Sequence, residues 1–100
     1  NMATSSLKSV HFEVHGKVQG VFFRKHTERK ANELGLTGWV KNTPGGTVVG
    51  CIEGSVDKLE TMKKWLQETG SPRSRIEKCN FKDEKTIKTK LFPGFSVKKS

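Results

Sequence analysis

The sequence predicts an α+β fold, one sheet with two helices packed on the same side. Three observations carry this. The chain has 100 residues, the size of one small domain with a modest core. Some stretches alternate apolar and polar residues, the period of a half-buried strand. Two others repeat apolar residues every three or four positions, the period of a helix.

Residues 1–7 read as a frayed polar lead, and residues 8–100 as a single domain. Asn1 to Ser6 has no charged-then-apolar pattern, so no secretion signal is expected. No run approaches the roughly 20 apolar residues of a membrane helix. From Ser9 to His15, Val10, Phe12 and Val14 alternate with His11, Glu13 and His15, a first strand. "GKVQGVFFR", Gly16 to Arg24, then forms a glycine loop. From Phe23 to Leu34, the side chains of Phe23, Thr27, Ala31 and Leu34 share one helical face, and Gly35 ends the helix. Residues 36–43, "LTGWVKNT", read as a second strand. Pro44, Gly45 and Gly46 turn the chain into a third, Thr47 to Glu53, which Gly54 ends.

Ser55 is placed to cap a second helix. Val56, Leu59, Met62 and Leu66 give that helix its apolar stripe, with Trp65 alongside; Gly70 and Pro72 terminate it. Ile76 to about Thr86 has a looser strand pattern. Phe92 to Lys98, interrupted by Pro93 and Gly94, supplies a short last strand. The order is β-α-β-β-α-β plus a short final strand, the split β-α-β or ferredoxin-like arrangement. Right-handed crossovers put both helices on one face of the antiparallel or mixed sheet. Trp39 and Trp65 read as core residues.

In this topology the first two strands run the same way, so their C-terminal ends share one end of the sheet. The Gly16–Val21 loop leaves from one, and Asn42 and Thr43 sit at the other. Gly16 and Gly20 let the loop backbone turn tightly and approach a ligand. Successive amides in such a loop form an anion nest. A helix starting near Phe22 adds free N–H groups and the positive end of its dipole. Arg24 adds a planar fork for two phosphate oxygens. Asn42, with one acceptor and two donors, is equipped to hold a water. Everything here recognises an oxyanion and nothing attacks it. The plainer alternatives are a surface charge for Arg24 and a turn former for Asn42.

At these residues the chain resembles the acylphosphatase family. The family's loop, G-x-V-Q-G-V-x-F-R, stands here as Gly16–Arg24, and its G-W-V-x-N as Gly38–Asn42. The likeness continues through "KKWLQETGSPRSRI" to "FPGFSV" and spans roughly residues 7–98. The resemblance implies hydrolysis of carboxyl–phosphate anhydrides to carboxylate and inorganic phosphate, with no metal or cofactor. It implies that Arg24 binds phosphate and Asn42 positions the attacking water. The amides of Gln19, Gly20, Val21, Phe22, Phe23 and Arg24 would cradle the phosphoryl oxygens, with Thr43 in support. The substrate's own phosphate then accepts the proton, so the site needs no general base. The chain departs from the family pattern at His11, where an acid is common. It departs again in its tail, where Lys98, Lys99 and Ser100 stand in the region whose terminal carboxylate can fix the arginine.

Other chemistries lack their residues. His11 and His15 share a strand face but lie about 13 Å apart, too far for one zinc ion. Six residues after Cys51 and Cys79 stand Asp57 and Lys85, so neither opens the arginine-ended loop of a cysteine phosphatase. No G-x-x-x-x-G-K-[ST] run exists. The two cysteines read as small buried hydrophobes in a reducing cytosol rather than a disulfide.

The net charge is +9, with 15 of 19 cationic side chains lysine. It is concentrated toward the end: residues 71–100 hold 9 basic and 3 acidic side chains, against 10 and 7 before them. A basic surface attracts anions without naming them. A nucleic-acid module of this fold stacks bases on aromatics of its central strands. "TVVGCIE" has none, so no specific nucleic acid is expected, only salt-sensitive contact. The expected protein is a cytoplasmic monomer without membrane partners.

Overall fold

The computed structural model describes residues 6–99. Its elements are β1 (Leu7–Lys17), α1 (Phe23–Glu33), β2 (Thr37–Asn42), β3 (Val48–Ser55), α2 (Val56–Glu68), β4 (Arg75–Ile87) and β5 (Phe95–Lys98). Most of the expected polar lead lies outside the described residues, but Leu7 is not part of a lead. It opens β1, paired with Ser55 on one side and Ile87 on the other. A two-sided ladder and an apolar side chain draw it into the sheet.

The strand order is β4-β1-β3-β2-β5. β1 pairs antiparallel with β3 and β4, and β2 antiparallel with β3. β5 alone runs parallel to its neighbour β2, so the sheet is mixed. The alternation expected for β1 is present: Val10, Phe12 and Val14 are buried on the helix face, and His11, Glu13 and His15 lie on the other. Phe23, Thr27 and Ala31 are the buried face of α1, and Leu59, Met62 and Leu66 that of α2. They join Val40, Val48, Ile52 and Phe95 in one core. Each such aliphatic side chain contributes roughly 1.5–3 kcal/mol on burial.

Trp65 leans on this core, its ring 5.8 Å from that of Phe23. Trp39 does not, which corrects the expectation. Gly38 and Val40 are buried, and period-two alternation sends Trp39 to the open face of the sheet. There it meets the edge of His11 at 6.5 Å, and the ammonium groups of Lys41 and Lys98 at 5.5 and 4.7 Å.

At the end of the sheet where β1 and β2 begin, the chain crosses from β4 to β5. Glu53, a fully buried carboxylate, holds this crossing: Oε1 accepts from Thr37 Oγ1 and from the Phe92 N–H, both at 2.8 Å. Lys90 Nζ ties the crossing to the Gly35 carbonyl at 3.2 Å. Because β1, β2 and β5 run the same way, their C-terminal ends meet at the opposite end, beside the start of α1.

Candidate active site

The loop between β1 and α1 is built by residues with different tasks. Gly16 sits at φ 128° at a register shift against β4, and a Cβ there would collide with the Arg75 carbonyl. Its role is close approach between strands. Gly20, at φ 74°, has open space where its side chain would be, so what the position requires is the backbone conformation. Gln19 lies between them. Its side-chain amide donates to the carbonyls of Thr43 and Thr47, both at 2.8 Å. It therefore clamps the loop to the β2–β3 turn. Thr43 belongs to the same clamp: its hydroxyl lies 2.7 Å from that of Thr47, which donates to Glu13 Oε2 at 2.7 Å.

α1 begins without a side-chain cap. Phe22 occupies the N-cap position in the left-handed region, φ 59° and ψ 28°, and the first turn has no acid. The first N–H groups of the helix thus lack intrahelical acceptors, as at any helix start. Arg24 stands in this turn. Its Nη1 donates to the Lys98 carbonyl at 3.3 Å, so the tail does hold the arginine, through main chain. Among the described residues no carboxylate forms an ion pair with it, which leaves most of the fork available.

A cavity of about 560 Å³ opens at this point. Val18, Gly20 and Arg24 line it from the loop and helix, and Asn42 from the end of β2. Asn42 Oδ1 is buried and has no hydrogen-bond partner. Phe22 and Phe23 also line the cavity, Phe22 largely exposed and Phe23 buried with its ring against Trp65. Gly16, Gln19, Val21 and Thr43 lie outside the lining. The structure thus brings Gly20, Phe22, Phe23, Arg24 and Asn42 together and puts Gln19 and Thr43 behind them as a clamp.

Sequence reasoning missed five lining residues: Val18, Lys25, Glu28, Val97 and Lys99. Helical spacing could have found Glu28, one turn beyond Arg24. Val97 and Lys99 arrive through the parallel β2–β5 pairing, which no local pattern signals.

Among the described residues, the cavity lining holds no serine, threonine, cysteine or histidine, and Glu28 is its one carboxylate. Among the described residues no group of His, Cys, Asp or Glu side chains is close enough to hold a metal. Both cysteines are free and lie elsewhere. Burial pushes the Cys79 thiol up to about 12. Burial also raises Cys51, with help from Glu53 and against Lys85. Neither is a thiolate nucleophile near neutral pH.

The domain is ferredoxin-like, and its cavity is lined by an arginine in the uncapped first turn of α1 and an asparagine at the end of β2. The acylphosphatase family model matches residues 10–97. Acylphosphatase-2 of Meleagris gallopavo is 53% identical over 96 residues, 96% of this chain and 93% of that protein. Acylphosphatase-2 of Homo sapiens is 53% identical over 93 residues, 93% of this chain and 94% of its own length. The structure of an acylphosphatase from Coxiella burnetii superposes with a TM-score of 0.82 at 38% identity, covering 93% of this chain and 94% of that one. The chain belongs to the acylphosphatase family and is a hydrolase.

Proposed function

We propose that the protein hydrolyses the carboxyl–phosphate bond of small acyl phosphates, releasing a carboxylate and inorganic phosphate. The loop amides from Gln19 to Arg24 and the Arg24 fork hold the phosphoryl oxygens. Asn42 holds a water in line with the bond to be broken. Water adds to phosphorus as the P–O bond to the acyl group breaks, and its proton passes to a phosphoryl oxygen of the substrate. The leaving group is a carboxylate, a weak base that needs no protonation near neutral pH. Such a transfer depends on positioning and charge stabilisation, which is what these side chains offer.

The observation that carries this reading is Asn42. Its Oδ1 is a buried acceptor without a partner, lining the same cavity as Arg24. A buried acceptor left unmade is destabilising by about 1–3 kcal/mol, and a bound water would recover that. Metal independence rests on the donors: one carboxylate among amides, cations and apolar groups makes a poor cation site. The expected result is hydrolysis of benzoyl phosphate at the same rate with and without chelator. Activity lost to chelator and restored by a divalent metal would overturn the metal-free mechanism. No hydrolysis under any condition would overturn the activity.

The nucleic-acid expectation stands as part of the proposal, on different ground. Trp39 is an aromatic on the open face, but it has lysine ammonium groups against its ring and no second aromatic on β3. Contact with nucleic acid is therefore electrostatic and salt-sensitive.

A further inference from the structure

Phe22 and Phe23 are adjacent and have opposite fates. Phe23 is 1% exposed and part of the core; Phe22 is 73% exposed. A phenylalanine in the left-handed region is held there at about 1–3 kcal/mol of strain. The carbonyl of Phe22 is fixed by the His26 N–H, and the His26 ring Nδ1 also lies 3.1 Å from it. The backbone is thereby locked in the conformation that turns the ring away from the core. Glycine or asparagine would take that conformation with less strain, and an exposed ring returns nothing to folding.

Three large apolar side chains are exposed among the described residues: Phe22, Leu91 and Val97 at 39%. Two of the three line the cavity of Arg24 and Asn42, one from each side: Phe22 from the loop and Val97 from β5. A phosphoryl group is met by amides and the guanidinium. Phe22 and Val97 offer it nothing. They suit the other half of the substrate.

We propose that Phe22 and Val97 form an apolar lip that seats the acyl half of the substrate. The lip makes the enzyme prefer aromatic and longer aliphatic acyl phosphates over acetyl phosphate. This rests on the hydrolytic reading above. An apolar group seated on a partly open surface is worth about tenfold in discrimination at the lower end of pocket effects. Lys25 and Lys99 also line the cavity, so the competing assignment is an acyl group with a distal negative charge.

The test compares kcat/KM for benzoyl, acetyl and succinyl phosphate in the native protein, Phe22→Asn and Phe22→Leu. Asparagine accepts the left-handed backbone and removes the apolar surface; a denaturant melt checks each variant. The expected benzoyl-to-acetyl ratio is about 10 in the native protein, falls about 5-fold or more in Phe22→Asn, and is partly kept in Phe22→Leu. Binding of benzylphosphonate against methylphosphonate, followed by the amide shifts of Gly20 and Arg24, reads the same preference without turnover. A native protein that binds both phosphonates equally, or a benzoyl preference untouched in Phe22→Asn, would overturn the lip. Succinyl phosphate preferred over benzoyl, with no change in Phe22→Asn, would also overturn it and assign the acyl end to the lysines. If no acyl phosphate is hydrolysed but the benzylphosphonate preference holds and falls in Phe22→Asn, the lip stands and the reaction is wrong.

Discussion

The two helices share one face of the sheet and neither has a side-chain cap, but their N-termini differ in backbone conformation and charge. α2 starts from Ser55 in an extended conformation, with Asp57 in its first turn. The Val56 N–H donates to the Ser6 carbonyl at 3.3 Å. Ser55 holds the N-cap position but makes no side-chain cap bond, contrary to expectation, so the chain supplies one acceptor and one acid at this end. α1 starts from a left-handed Phe22, has no acid in its first turn, and carries Arg24 and Lys25 there instead. Cations at the positive end of a helix are unfavourable by a few tenths to about 1 kcal/mol each. The difference shows where the fold leaves positive potential without an internal partner, beside a cavity able to receive an anion.

The comparison breaks most completely at Arg24. Arg24→Ala should reduce kcat/KM by about 10²–10³-fold, as for loss of one key donor, and remove phosphate inhibition. Arg24→Lys should recover little, because an ammonium keeps the charge and loses the two-pronged geometry. Steady-state kinetics on both variants measure this. Asn42→Ala comes next, with kcat down by about 10²-fold and phosphate inhibition nearly intact, the mark of a group used in the chemical step. A folded Asn42→Ala with near-normal kcat would make the asparagine a turn residue.

Gln19→Ala removes the clamp rather than a substrate contact. The carbonyls of Thr43 and Thr47 each lose the Gln19 donor, though the Gly46 and Thr43 N–H groups still reach them. A denaturant melt should show a loss of about 1–3 kcal/mol, and kcat should fall with it as the loop and Asn42 lose their mutual register.

A paired exchange sharpens the contrast between the helices. Lys25→Glu should stabilise the fold by about 0.3–1 kcal/mol and weaken phosphate inhibition. Asp57→Lys should destabilise by a similar amount and leave the kinetics unchanged. Stability and anion binding thus move oppositely at α1, and only stability moves at α2.

The smallest effect lies far from the site, where α2 meets β4. Glu84 bonds Lys63 at 2.7 Å and Lys8 at 3.3 Å. Lys63 first, then Lys8, hold its carboxyl below its ordinary value of 4.5. Glu84 in turn raises Lys63 above 10.5. A depressed carboxyl stabilises above its ordinary value and loses that contribution as pH falls through its folded one. A raised lysine loses its contribution as pH rises through its own folded value. Glu84→Gln should therefore be destabilising by less than about 1 kcal/mol, evenly from pH 6 to 9, and less so in acid or high salt.

What could be read from the sequence was local. The glycine loop, Arg24 and Asn42 are legible because spacing and residue type define them, and β-α-β-β order alone carries the two strand ends together. Both helical faces are legible from periodicity. What escaped depends on partners distant in sequence. Trp39 looked like core by its size, yet strand parity set its face. Gln19 looked like one more loop amide, and its clamp is visible only once the β2–β3 turn lies beside it. Val97 and Lys99 reach the cavity through a parallel pairing across the whole chain. Leu7 joined the sheet because two strands wait for it there.

The most direct measurement is a titration with inorganic phosphate followed at the backbone amides, in the native protein and in Arg24→Ala. If the α1 end is the anion site, the amides of Gly20 to Lys25 should shift saturably while those of Val56 to Lys58 at α2 stay still. Arg24→Ala should abolish the shifts without unfolding the domain. Equal, unsaturable shifts at both helix starts, or saturable shifts that persist in Arg24→Ala, would contradict the assignment.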